Sequence, residues 1–300
     1  MVEEIKVHFL GTADSVPSES RNHPAFLLSY GGENVLVDCG EGTQRQFRKA
    51  KLNPCKVNRI LITHWHADHV LGLPGFLQTL SMSGYSQELV IYGPEGSKKK
   101  FDHLMRLFGF PNEISVKYEE VSGKFFETDD YYFEAKEMEH GIPTNAYSFV
   151  VKDRSNIDKS KLEESGLKAG PHLQKLKEGK DVSVGGKKYR SKDLVYVEKG
   201  KKVSFVLDTK YNQKIKSLVK GSDLWISECT YGSELKDLAK DHLHLSADQV
   251  GKIAESSGVK TLALVHISQR YQKNLKKVLD EVKEYHSETY LPKDLDSFKV

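Results

Sequence analysis

Three histidines and an aspartate fall within six residues of the stretch Thr63-His64-Trp65-His66-Ala67-Asp68-His69-Val70, and this stretch limits the possible folds more than any other. Ahead of it runs Val57-Asn58-Arg59-Ile60-Leu61-Ile62, β-branched and apolar, which reads as a buried strand. Behind it, Gly72 and Pro74 keep the chain in a loop until a helix can start. In extended geometry His64 and His66 face one side. Asp68 and His69 lie round the turn, within reach of a second point. Imidazole nitrogen and carboxylate oxygen are ligands of zinc and related divalent ions. Four such groups spaced His-x-His-x-Asp-His after a strand read as a metal site rather than as solvated side chains.

This motif resembles the metal-binding signature of the metallo-β-lactamase superfamily. The resemblance implies further ligands downstream, each on a loop after a strand, and the chain offers them. His140 follows the run Tyr131 to Lys136, Asp208 ends Val203 to Leu207, His266 ends Thr261 to Val265, and Asp38 ends Val35 to Val37. The family pattern groups His64, His66 and His140 around one ion and Asp68, His69 and His266 around another. The resemblance implies that Asp208 would bridge the two, with Asp38 behind as a supporting carboxylate. The cofactor expected on this pattern is two Zn2+ per subunit, with Mn2+ or Fe2+ also suited to the ligands. Two divalent ions about 3.5–4 Å apart suit phosphodiester hydrolysis. Asp68 is then placed both to ligate and to accept a proton from water.

A chain of 300 residues with 38% hydrophobic content can bury a full core, as one large domain or a domain with an appendage. The net charge of +3 excludes a polycation. Cys39, Cys55 and Cys229 form an odd, scattered set without Cys-x-x-Cys, which argues against a disulfide framework and fits a reducing cytoplasm. Met1 to Lys6 lacks the basic and apolar regions of a secretory signal, and no apolar run approaches the roughly 18 residues of a membrane span. Strands read at 5–10, 25–30, 34–38, 57–62, 89–92, 115–118, 131–136 and 146–151, with helices at 42–50, 74–83 and 96–108. Strands at 203–207, 223–227 and 261–265 then alternate with helices near 211–219, 246–257 and 272–285. The pattern suggests an α/β, four-layer αββα sandwich formed by residues 1–151 and 203–300. Residues 152–202 stand apart. They carry 15 Lys plus Arg against 8 Asp plus Glu, a net of +7 in a chain whose remainder sums to −4. Two short helices, from about Asp158 to Ser165 and from Pro171 to before Gly179, interrupt this insertion. A basic arm that grips a polyanion is the functional reading.

Further stretches are similar to the ribonuclease Z family, the tRNA 3′-processing endoribonucleases. Ser227-Glu228-Cys229-Thr230, with His244 downstream, matches the glutamate and histidine of that family's proton-relay dyad, although two positions of its His-Glu-Ala-Thr motif are Ser227 and Cys229 here. Gly170-Pro171 within the arm resembles the family's tRNA-gripping exosite. Ser268-Gln269-Arg270-Tyr271 resembles a phosphate-contacting motif in which Arg270 offers a bidentate fork. Arg21 and Asn22 match the end of a substrate-sensing loop, where Glu19 replaces the usual lysine. The resemblance implies precursor tRNA as partner, a homodimer of the short form, and neither membrane nor DNA. The implied reaction is trailer removal after the discriminator nucleotide, leaving a tRNA 3′-hydroxyl and a trailer 5′-phosphate. The alternative within the same superfamily is a small-molecule phosphodiesterase or other ester hydrolase.

Overall fold

Two seven-stranded sheets organise the chain, described in the computed structural model over residues 4–109 and 114–300. Contacts divide the chain into two compact units. One comprises Met1–Phe126, Phe133–Phe149 and Lys202–Val300; the other comprises Glu127–Tyr132 and Val150–Lys201.

In the larger unit the first sheet runs in the order Ser297–Lys299, Lys6–Gly11, Ala25–Tyr30, Glu33–Val37, Arg59–Leu61, Leu89–Gly93 and Val116–Glu120. Its pairings are antiparallel up to Glu33–Val37 and parallel beyond. Strand side chains alternate between faces, and the Ala25–Tyr30 strand uses both. Leu27 joins Leu36, Ile60, Phe47 and Phe76 in a core under the helices Thr43–Lys49 and Leu73–Met82. Phe26 turns the other way and meets Phe205 of the second sheet at 6.1 Å, as Tyr30 meets Phe149 at 5.5 Å.

The second sheet has the order Thr289–Tyr290, Thr261–Val265, Leu224–Glu228, Lys202–Val206, Pro143–Val151, Tyr131–Glu139 and Gly123–Glu127. Its outer face packs Trp225, Leu262 and Leu264 against Ile215, Val250 and Val278 of the helices Gln213–Val219, Ala247–Ser257 and Leu275–Lys283. Each such side chain contributes about 1.5–3 kcal/mol on burial. The result is the layered α/β sandwich expected from the sequence.

Parallel strands in each sheet end on the same side. Asp38, His64, Asp208, Glu228 and His266 lie at or just beyond the C-terminal ends of Glu33–Val37, Arg59–Leu61, Lys202–Val206, Leu224–Glu228 and Thr261–Val265.

The structure corrects the sequence reading after His66. Instead of a loop, Ala67–Val70 forms one helical turn, so Asp68 and His69 project from a helix start. Backbone hydrogen bonds hold this short helix, because Cys39 N–H donates to His69 O and Gly72 N–H donates to Cys39 O, each at 2.9 Å. The structure adds strand Gly123–Glu127, helix Lys236–Asp241 and the short strands Thr289–Tyr290 and Ser297–Lys299 to the elements expected from the sequence.

The smaller unit has its own core of Leu167, Leu176, Val182 and Leu194. Strand Arg154–Ile157 pairs antiparallel with Val195–Glu198, and Val182–Val184 pairs with Lys187–Tyr189 across Gly185 and Gly186, both at positive φ. Helix Lys159–Ser165 is capped by the Asp158 carboxylate and closed by Gly166 in the left-handed region, and Pro171 precedes helix His172–Lys177.

Candidate metal centre

Asp208 is the hub. Its Oδ2 lies 3.7 Å from His64 Nε2, 3.6 Å from His69 Nε2 and 3.5 Å from His140 Nε2, while its Oδ1 lies 3.3 Å from His266 Nε2. His66 Nδ1 stands 3.0 Å from His64 Nε2 and 3.2 Å from His140 Nε2. Asp68 Oδ2 is 3.2 Å from His69 Nε2 and 3.4 Å from His266 Nε2. Among the described residues, three groups bring such atoms together: His64, His66, His140 and Asp208; Asp68, His69, Asp208 and His266; and Glu228, His244 and His266, of which the first two share Asp208.

These residues fit cations better than they fit one another. Among the described residues, His69 Nε2 and Asp208 Oδ1 are buried without a hydrogen-bond partner. Leaving such atoms bare costs free energy that a cation would recover. Ligands at about 2.0–2.2 Å from a shared ion sit roughly 3.3 Å from each other, the range seen around Asp208.

Most of the ligands are aimed by a further hydrogen bond. Asp38 is fully buried at φ 55°; its Oδ1 accepts Thr63 N–H at 2.7 Å, and its Oδ2 accepts the Thr63 hydroxyl at 2.7 Å and His69 Nδ1–H at 2.6 Å. Thr63 Oγ1 in turn faces His64 Nδ1 at 3.1 Å, and Leu243 O accepts His140 Nδ1–H at 2.9 Å. The opposite nitrogens therefore point inward. Burial lowers the pKa of His64, His66 and His140, keeping these imidazoles neutral. Burial also pulls His69 down, but the Asp208 and Asp38 charges outweigh it and raise that pKa. Burial works against ionisation of Asp68, yet the His266 and His69 imidazoles, 3.4 and 3.2 Å from its Oδ2, hold it well below the usual carboxylate range.

Glu228, His244 and Thr230 stand beside the ligands as a hydrogen-bonded group of their own. Glu228 Oε1 accepts His244 Nδ1–H at 3.0 Å and Thr209 N–H at 2.8 Å, while Oε2 accepts the Thr230 hydroxyl at 2.7 Å. Thr230 Oγ1 also lies 3.1 Å from His266 Nδ1, which ties the pair to the ligand cluster. Burial disfavours charge on His244, but Glu228 overcomes it and pushes the pKa up to about 9. His244 is thereby kept as a proton donor.

These groups open into a cleft of about 1040 Å³. Ser268 and Arg270 line it, and the Arg270 guanidinium lies 5.2 Å from the Tyr231 ring centre. Tyr271 instead turns away, its hydroxyl accepting Gly232 N–H and donating to Glu234. Arg21 and Asn22 are spent internally. Arg21 donates to Thr12 Oγ1 and Pro292 O, and the Asn22 side chain donates to Glu41 O. Gly170 and Pro171 lie in the smaller unit, ahead of helix His172–Lys177. The sequence reading missed Asp14, Tyr231 and His242, which also line the cleft. No spacing rule marks them, since their place depends on loop packing.

Fold and ligand cluster together define a metal-dependent hydrolase, and a sequence profile described as the Metallo-beta-lactamase superfamily matches residues 20–175. Ribonuclease Z of Methanothermobacter thermautotrophicus is 36% identical over 298 residues, covering 99% of this chain and 97% of that protein. Ribonuclease Z of Bacillus cereus is 36% identical over 303 residues, covering 97% and 98%. The crystal structure of human tRNase Z, short form, superposes with a TM-score of 0.69 at 25% identity, covering 98% of each chain. The chain belongs to the ribonuclease Z family.

Proposed function

We propose that this chain is an endoribonuclease that removes the 3′ trailer from precursor tRNA by hydrolysis after the discriminator nucleotide, leaving a 3′-hydroxyl on the tRNA and a 5′-phosphate on the trailer. The carrying observation is the Glu228–His244 pair set 3.0 Å apart beside the histidine–aspartate cluster, in a member of the ribonuclease Z family. His64, His66 and His140 would hold one Zn2+, Asp68, His69 and His266 would hold a second, and Asp208 would serve both. Metals bound there would supply Lewis-acid polarisation of the phosphate and lower the pKa of water. Asp68 lines the cleft, where its carboxylate would orient the attacking water and accept its proton. His244, kept protonated by Glu228, gives its proton to the departing 3′-oxygen. Arg270 faces the cleft with a guanidinium suited to a neighbouring phosphate.

The insertion supplies tRNA grip. Lys168, Lys175, Lys177 and Lys192 are exposed there and form no ion pair among the described residues. Such lysines track phosphates rather than read bases. A dimer is the working assembly, consistent with the exposed side chains of Leu71, just ahead of helix Leu73–Met82, and of Met82 at its end. The protein works in the cytoplasm, and no helix among the described residues is long and apolar enough to cross a membrane.

The test is end-mapping of products from a 3′-extended tRNA incubated with metal-replete protein. One cut after the discriminator, with a 3′-hydroxyl on the tRNA, is expected. An uncut precursor, with a small phosphodiester hydrolysed, would overturn the RNA assignment.

A further inference from the structure

Residues 291–296 connect strand Thr289–Tyr290, at the edge of the second sheet, to Ser297–Lys299, at the edge of the first. This strap carries Asp294. Its Oδ1 accepts the Thr12 hydroxyl at 2.8 Å, and its Oδ2 accepts Asn22 N–H at 2.7 Å and the Gln46 amide at 2.9 Å. Arg21 completes the clamp, donating to Thr12 Oγ1 at 2.5 Å and to Pro292 O at 2.9 Å. The strap is held in register by Leu295 N–H to Phe9 O at 2.6 Å and Phe9 N–H to Asp296 O at 2.9 Å. Leu295 itself sits at φ 73°, a conformation a leucine adopts only where its surroundings impose it.

What the clamp holds is the floor of the metal centre. The Thr12 carbonyl accepts His266 N–H at 3.1 Å, and His266 is a ligand at φ 55°. Two residues on, the Asp14 carboxylate accepts Gln269 N–H at 3.0 Å, next to Ser268 and Arg270. Thr12 to Asp14 is thus fastened on one side by the strap and on the other fastens the segment that presents His266. Asp294 does not line the cleft, and 282 residues separate it from Thr12.

We infer that Asp294 is a positioning residue for the metal centre, acting through the Thr12 hydroxyl to fix the backbone that seats His266. Arg21 and Asn22 serve the same clamp. The inference deepens the metal-dependent reading and rests on it.

The experiment compares Asp294→Ala, Thr12→Val and Thr12→Ser with the unaltered protein. Zn2+ affinity is read by competition with a chromophoric chelator, kcat and KM on bis(p-nitrophenyl) phosphate, and Tm by thermal melting. Asp294→Ala and Thr12→Val are expected to weaken Zn2+ binding about 10-fold, the lower end for an outer hydrogen bond, and to lower kcat with KM little changed. Thr12→Ser, which keeps the hydroxyl, restores both. If Asp294→Ala fails to fold, the isosteric Thr12→Val carries the comparison. Variants that bind Zn2+ like the parent and differ only in Tm overturn the inference, as does a Thr12→Ser as defective as Thr12→Val. An unaltered protein that cuts no precursor tRNA leaves the Zn2+ comparison readable. One that binds no Zn2+ removes the metal-centre reading and this inference with it.

Discussion

Asp38 touches no substrate, yet its carboxylate decides which nitrogen of His69 is free. One oxygen takes the Thr63 N–H, and the other takes both the Thr63 hydroxyl and His69 Nδ1–H. An amide of the same size offers one acceptor oxygen and a donating NH2. In Asp38→Asn, His69 can therefore shift to the tautomer whose Nε2 is protonated and cannot ligate. Zn2+ affinity should fall 10- to 100-fold in chelator competition, with a smaller loss of stability than Asp38→Ala, which strands buried donors at about 1–3 kcal/mol each. Affinity unchanged in the asparagine variant would mean the carboxylate is only packing. Residues of the chemistry should separate from one another. Asp68→Ala is expected to abolish turnover while tRNA still binds. His244→Ala should slow cleavage by roughly 10²–10⁴-fold, the range for abolished proton transfer, measured as single-turnover rate. The cluster from His64 to His69 was legible because its members are contiguous. Glu228 and His244 were legible only through family likeness, being 16 residues apart. Thr12 and Asp294 were not legible at all: a threonine after a strand and an aspartate near a turn are ordinary, and only the fold brings them to 2.8 Å.

At the level of elements, a four-residue helix cannot persist on hydrogen bonds it makes within itself. Ala67–Val70 persists because backbone lies directly on backbone. A Cβ built on Gly72 would sit 1.9 Å from Gly40 O, and one on Gly40 would sit 2.5 Å from Asp68 O. Gly72 has an ordinary φ of −77°, so its need for glycine is purely steric. Gly72→Ala must push the Asp38–Gly40 turn away from the helix carrying Asp68 and His69. The expected cost is about 1–3 kcal/mol or more, the range for overpacking, with metal content falling alongside. A thermal melt and elemental assay both unchanged would show that the turn relaxes freely. Elements with β-branched runs, such as Thr261–Val265, were readable from residue pattern. Gly123–Glu127 and Ser297–Lys299 were not, because charged residues sit within them and only long-range pairing makes them strands.

For the molecule as a whole, the question is whether grip and chemistry are separable. Val151 N–H donates to Lys201 O at 2.8 Å, so the insertion leaves and returns at one point. The strands it interrupts, Pro143–Val151 and Lys202–Val206, are neighbours in the second sheet. The insertion's buried Leu167, Leu176, Val182 and Leu194 form a cluster of their own. Replacing residues 152–201 by a short glycine–serine turn should therefore leave the catalytic unit folded, with bis(p-nitrophenyl) phosphate hydrolysis within a few-fold of the parent. Precursor tRNA is different. For every phosphate that the protein no longer neutralises, the slope of log affinity against log salt becomes shallower by roughly 0.7–0.9. The deletion should thus weaken tRNA binding and flatten its salt dependence together, with cleavage falling in step. Composition made the insertion's charge visible in the sequence, but not its closure at Val151 and Lys201, which is what makes the deletion feasible. Equal loss on both substrates, in a protein that still melts cooperatively, would assign the insertion to the catalytic unit's architecture instead of to RNA capture. A tRNA affinity that drops with an unchanged salt slope would mean that the insertion grips something other than phosphate.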